Sequence, residues 1–203
     1  MHPKCGHLWS FREPLRRRLI YQSELFLSSF LLSANRCWRM VQTLQFITIL
    51  VVSVAMALNL AHALELPGKL RLSKEYYLVT QQIYYPGFTY GGLAEPIGLV
   101  LLLVLLVTTP AGPKFWLTTA ALMAFLLMHA TYWLVTHPVN NFWLKDFQPE
   151  KLAKGFFSFD PLGHVDRLRA ADWTALRDRW EYSHVLRAAL GLLSLVLLVA
   201  SVV

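Results

Sequence analysis

Charge is scarce in this chain. Only 15% of its 203 residues are Asp, Glu, Lys or Arg, 56% are hydrophobic, and the mean hydropathy is +0.43. A water-soluble domain of this size is nearer about 45–50% apolar and about 25% charged. Cysteine is scarcer still. Cys5 and Cys37 are the only two, and both lie upstream of the first long apolar block, which excludes a disulfide framework or a zinc knuckle. The sequence also lacks an internal repeat, a low-complexity tract, a glycine-rich nucleotide loop and a Ser or Cys nucleophile motif.

What the chain has is apolar residues in blocks rather than amphipathic stripes. A bilayer core about 30 Å thick needs roughly 20 apolar residues per helical span. Val41 to Leu64 carries no formal charge, Lys114 to Val135 is charged only at its start, and Ser183 to Val203 has sixteen uncharged residues after Arg187. Gly91 to Thr109 is shorter, but Ile97 to Val107 is continuously apolar and Pro96 suits a first helical turn. Pro110-Ala-Gly-Pro113 breaks the chain into a hairpin before the next span. These features predict an all-α, integral membrane four-helix bundle, with spans at about 41–64, 91–109, 114–136 and 183–203.

Residues 1–40 form a separate basic extension. Lys4, Arg12, Arg16, Arg17, Arg18, Arg36 and Arg39 against Glu13 and Glu24 give +5 of the formal +7. Three readings stand: Met40 is the true start, the segment is a secretory signal or basic arm, or it is an additional helix. A basic patch suits nucleic acid or anionic lipid. The expected partners are the lipid bilayer and a hydrophobic small molecule, with no nucleic acid and the oligomeric state left open. Counted from Met40, one end of the bundle has a single basic residue, Lys114. The loops 65–90 and 136–182 at the other have ten: Lys69, Arg71, Lys74, Lys145, Lys151, Lys154, Arg167, Arg169, Arg177 and Arg179. The positive-inside rule then places both loops in the cytoplasm of a multi-pass protein of the cell membrane, whereas keeping residues 1–40 gives eight basic residues against ten and the rule no longer decides.

The polar residues of the spans fall at that same end. Asn59, His62, Glu65 and Lys69 close the first span, Tyr90 and Glu95 open the second, and His129, Tyr132, Trp133 and His137 close the third. Trp180, Glu181, His184 and Arg187 open the fourth on one helix face. Pro138 is expected to stop the third helix. His129 then lies about seven residues inside it, or roughly 10 Å deep. Ionisable groups at such depth face the bundle interior, pair with one another and mark functional sites. Three blander roles compete: Trp, Tyr and His as ordinary membrane-interface residues, Lys69 and Arg187 snorkelling to headgroups, and Glu65–Lys69 as an ordinary i,i+4 pair.

Glu181-Tyr-Ser-His184 also has the Glu-x-x-His spacing of metal-binding bundles. An alternative to a cofactor-free site is therefore iron or haem, with His62, Glu65, His129, Glu181 and His184 as ligands. Between the first two spans, Ser73-Lys-Glu-Tyr76 has the spacing of a capping box with Tyr in place of the acid, and Tyr76 to Tyr85 reads as an amphipathic helix over the site. Gln81, Gln82, Tyr84 and Tyr85 are its candidate donors to an aromatic substrate, and an interfacial aromatic belt is the competing reading. The stretch from Phe142 to Arg179, with its Asp160-Pro-Leu-Gly163 turn, is too long for a plain connection and reads as a lid.

His137-Pro-Val-Asn140-Asn141 after the third span, and Trp180-Glu-Tyr-Ser-His184-Val-Leu-Arg187 entering the fourth, resemble the anthrone oxygenase-like family of small four-helix membrane proteins. The resemblance covers roughly residues 45–200. The chain departs from the family pattern in having His137 where an Asn is expected and in its Ala-His62-Ala-Leu-Glu65-Leu-Pro-Gly-Lys69 segment. The resemblance implies an oxygenase that turns an anthrone into an anthraquinone with molecular oxygen and no cofactor. On that reading His184 is the base, Glu181 or another carboxylate orients it, and Arg187 stabilises the substrate anion. Asn140 donates a hydrogen bond, Trp180 and Trp133 form walls, and His137, His129, His62, Glu65 and Glu95 complete the binding surface. The rival readings are a non-enzymatic accessory or structural membrane protein, and a metal- or haem-bound redox protein.

Overall fold

The computed structural model describes residues 12–84, 86–143 and 171–203. Cys5, Tyr85, the Asp160–Gly163 turn, the five loop cations from Lys145 to Arg169 and most of the expected lid lie outside them. The chain divides into two compact units, Met1–Thr43 and Leu44–Val203. In the first, residues from Arg12 onward are helical. All regular structure among the described residues is helical, as expected.

Helix α1 is Arg12–Lys69, α2 Lys74–Gln81 with a tight turn Gln82–Tyr84 after it, α3 Gly87–Gly91, and α4 Ala94–Thr108. Helix α5 is Pro113–Thr131, followed by a wider π-helical turn Tyr132–Thr136, α6 His137–Trp143 and α7 Trp173–Val202. Four stretches are long and apolar enough to cross a membrane: Trp38–Lys69, Gly87–Thr108, Pro113–Asn140 and Trp173–Val202. Only 22% to 33% of the most apolar window in each is buried, so most of that surface faces outward, as contact with lipid requires.

Several boundaries differ from expectation, and local interactions account for those of spans three and four. Span four begins at Trp173 rather than near residue 183, because Asp172 caps it: its carboxylate accepts from Thr174 N at 3.2 Å and from the Thr174 hydroxyl. These bonds hold the Asp172 carboxyl below its ordinary value. Span one continues to Lys69. Span three does not stop before Pro138. The π-helical turn redirects the His137 amide to Tyr132 O and puts Pro138 in the first turn of α6, where a missing N–H is tolerated. The carbonyls this frees are met from another helix. Arg179 donates through Nη2 to Leu134 O at 3.2 Å and through Nε to Val135 O at 3.4 Å.

The connecting helix forms, but from Lys74. Ser73 occupies its N-cap position without a side-chain cap bond, and Tyr76 is exposed. At the α4–α5 hairpin, Gly112 has φ 155° and ψ −170°, a conformation essentially reserved for glycine. Pro113 then supplies the first helical residue of α5.

Apolar side chains gain little from meeting one another when the surroundings are also apolar, so close packing and interhelical hydrogen bonds hold such a bundle. Val52, Ala55, Leu102, Leu105, Ala121, Phe125, Met128 and Leu198 form its core. Gly191 lets α7 approach the Met56 backbone, and Ser194 Oγ donates to Ala121 O at 2.8 Å. The buried hydroxyls of Thr48 and Thr118 bond back to Leu44 O and Lys114 O.

Candidate functional site

Glu95 opens α4, and its carboxylate touches one residue from each of the other three spans. Oε1 pairs with Arg187 Nη2 of α7 and lies 3.5 Å from Asn59 Nδ2 of α1; Oε2 lies 3.0 Å from His129 Nδ1 of α5. Proton positions follow from what each group is able to do. An indole N–H only donates, and Trp133 Nε1 lies 3.0 Å from His129 Nε2, so His129 is protonated on Nδ1 and donates to Glu95. A guanidinium likewise only donates, so Arg187 Nη1, 3.3 Å from His184 Nδ1, makes that nitrogen the acceptor and leaves the hydrogen on Nε2. Arg187 also lies over the Tyr132 ring at 4.9 Å.

A second cluster sits nearer the helix ends. Lys69 Nζ is 2.9 Å from Glu65 Oε2 and 3.5 Å from Glu181 Oε1, an ion pair whose angles fall short of hydrogen bonds. The connecting segment closes over it. Tyr77 of α2 donates to Glu181 Oε1 at 2.9 Å, and Tyr84 donates to Glu65 Oε2. Between the clusters, the His62 ring packs on His184 at 4.3 Å, on Tyr84 at 4.5 Å, on Phe88 at 4.6 Å and on Trp180 at 5.0 Å. Trp180 in turn donates to Asn140 Oδ1 at 2.8 Å.

The four polar groups read from the sequence therefore meet. His62, Glu95, Glu181, His184 and Arg187 are all buried, as are Asn140 and Trp180. Glu65 is partly exposed, and His129 and Trp133 are half-buried. His137 is buried against the Trp133 ring at 4.8 Å and the Tyr132 ring at 5.5 Å, on the α5 side of the cluster.

Several assignments change. Lys69 and Arg187 do not snorkel: both are buried and paired with carboxylates of other helices. Glu181 is paired with Tyr77 and Lys69 rather than with His184, and the contact with Arg187 puts the hydrogen of His184 on Nε2. Asn140 accepts from Trp180 through Oδ1, a bond that does not use its Nδ2 donors. Of the proposed connecting-helix donors, Tyr84 reaches the site, Gln82 is exposed, and Gln81 is buried. Tyr77 and Phe88 were missed.

Burial, then the Glu181 carboxylate, push the Tyr77 hydroxyl far above the ordinary tyrosine value; burial, then the bond to Glu65, do the same for Tyr84. Both stay neutral donors. A folded-state value raised above the unfolded one, about 10 for tyrosine, gives stability that is complete below the unfolded value and lost as pH rises through the folded one. In an alkaline titration, at least two of the eight tyrosines should give tyrosinate absorbance only when the protein unfolds. A Tyr77→Phe variant with an unchanged titration would contradict its burial against Glu181.

Among the described residues, no group of three His, Cys, Asp or Glu side chains is placed to hold a metal ion. The His62 and His184 rings touch each other at 4.3 Å and do not straddle the space a haem needs. Three buried atoms on one stripe of α7 have no hydrogen-bond partner among the described residues: Glu181 Oε2, His184 Nε2 and Arg187 Nε.

These features define the class: an all-α membrane protein with four helices long enough to span a bilayer and a buried polar cluster at one end of them. Comparison with known protein families, with curated proteins and with solved structures found no match.

Proposed function

We propose that this chain is a cofactor-independent oxygenase of the cell membrane, acting on a hydrophobic, anthrone-like aromatic molecule, with loops 65–90 and 136–182 on the cytoplasmic side. The observation that supports it is a buried guanidinium in contact with a buried imidazole, Arg187 on His184 at 3.3 Å, in an interior bounded by Trp180, Tyr84 and Phe88. Loss of a proton turns an anthrone into an electron-rich anion that reacts with oxygen directly. The ring methylene becomes a carbonyl, one oxygen atom enters the product, and the other leaves as water. The protein's task is to take the proton, hold the anion and exclude bulk water, and Arg187 is the cation for the second of these.

Oxygen uptake by the purified protein with anthrone tests this, alongside an absorbance spectrum and elemental metal analysis. Arg187→Lys is expected to lower the rate by about 100-fold or more, the scale of losing one well-placed donor to a developing anion. Uptake no faster than in empty micelles would end the oxygenase reading. A Soret band or stoichiometric metal would replace it with the redox-protein reading. The contact of Glu95 with all three other spans favours the structural rival. That rival predicts a His184→Gln protein that is stable and fully functional in its host.

A further inference from the structure

The three unpartnered atoms on α7 specify a ligand group more narrowly than a hydrophobic aromatic does. Glu181, His184 and Arg187 are spaced i, i+3 and i+6, share one face, and are 0%, 5% and 4% exposed. Leaving a polar atom without a partner in such a place is costly, and each such atom in a native protein calls for a ligand or a water. Their polarities differ. The other atoms of these side chains are committed: Glu181 Oε1 to Tyr77 and Lys69, His184 Nδ1 and Arg187 Nη2 to the Arg187–His184 and Arg187–Glu95 contacts. What remains is one acceptor, Glu181 Oε2, and two donors, His184 Nε2–H and Arg187 Nε–H. One acceptor and two donors are the complement of a hydroxyl, which donates one hydrogen and accepts two.

Charge points the same way. The cluster holds three carboxylates (Glu65, Glu95 and Glu181) against two cations (Lys69 and Arg187), one negative charge in excess with the imidazoles neutral. A ligand arriving as an anion would find no spare counter-charge in a surrounding that penalises unpaired ones.

We propose that the Glu181–His184–Arg187 stripe is a binding site for the hydroxyl of a neutral aromatic alcohol. Glu181 takes its proton, and His184 and Arg187 hold the oxygen that results. The O–H bond breaks, the proton moves to Glu181 Oε2, and the electron pair stays on the ligand oxygen, so the charge of the occupied site does not change. This rests on the reading of the site as one for hydrophobic aromatics, and not on oxygen chemistry. It also exchanges the roles drawn from the sequence: Glu181 is the base and His184 the donor.

The test compares three probes of one shape: naphthol, naphthoate and naphthalene, each titrated into the protein in mild detergent and corrected for partition into empty micelles. Naphthol is expected to bind about tenfold more tightly than naphthalene, the worth of one to two buried hydrogen bonds, and more tightly than naphthoate. His184→Ala should bring naphthol down to naphthalene's level, and His184→Gln, which keeps a donor, should restore part of the difference. Glu181→Gln removes the excess negative charge and should shift the preference towards naphthoate. Naphthoate binding wild type as tightly as naphthol, or a naphthol preference untouched by His184→Ala, would overturn the assignment while leaving an aromatic site standing. Failure of all three probes to bind would remove both.

Discussion

Replacing Glu95 with alanine is expected to cost about 3–5 kcal/mol, the range for breaking a buried ion pair by deleting one partner. Against a total stability of about 5–15 kcal/mol, that is a large share. Alanine takes away the acceptor for Arg187, His129 and Asn59 together, with the Glu95 and Arg187 side chains only 6% and 5% exposed. The damage is asymmetric. Arg187 stranded by Glu95→Ala has no means of shedding its charge. Glu95 stranded by Arg187→Ala takes up a proton or draws one onto His129, 3.0 Å away, so Arg187→Ala should be the milder change. Replacing both residues with leucine should recover most of the loss, since a well-packed apolar pair often equals or betters a buried ionic one. Reversible unfolding in mixed micelles, followed by circular dichroism, gives all three values. A loss below about 1 kcal/mol for Glu95→Ala is what a solvated surface pair gives, and it would place Glu95 outside the interior. The doubly substituted protein also separates the rival functions: it should be folded and inactive if Arg187 does chemistry.

How much of this was legible beforehand depends on the range of the interaction. The spans were readable because crossing a bilayer imposes length and apolarity residue by residue, and the gathering of polar groups at one end followed from counting spans. The sequence puts His184 and Arg187 on one helix face, because i,i+3 spacing fixes neighbours on a helix surface, and they touch at 3.3 Å. Spacing gives a face but not a partner. Glu181 lies on the same face as His184, yet its contacts are Lys69, 112 residues upstream in sequence (181 − 69), and Tyr77 of a connecting helix. Pro138 was misread for the same reason. A proline does end most helices, but the donor that relieves its vacated carbonyls is Arg179 on another element. The role of Glu95 as the meeting point of four spans depends on the rotation of each helix about its axis. Apolar blocks uniform around their circumference carry no such information.

The bundle's own packing gives a second prediction, one in which the sign of a common substitution is reversed by its surroundings. Gly→Ala inside a helix ordinarily gains up to about 1 kcal/mol, because glycine has more backbone freedom to lose. At Gly98 of α4 the added Cβ would meet Phe125 Cζ at 2.8 Å and Cε1 at 2.9 Å, with Val51 Cγ1 at 3.6 Å. Phe125 is fully buried among core side chains and has nowhere to turn. Overpacking of this kind costs about 1–3 kcal/mol, which exceeds the helix-propensity gain, so Gly98→Ala should be a net loss. Adding Phe125→Leu removes the contact, and Gly98→Ala should stabilise the Phe125→Leu background. Gly68 of α1 is the control. A Cβ there meets nothing within 4 Å, so Gly68→Ala should stabilise by up to about 1 kcal/mol. If Gly98→Ala behaves like Gly68→Ala under the same unfolding conditions, α4 and α5 are further apart than their contact at Phe125 requires. Because apolar packing between helices in lipid rests on close approach rather than on escape from water, that result would remove the main attraction holding the two together.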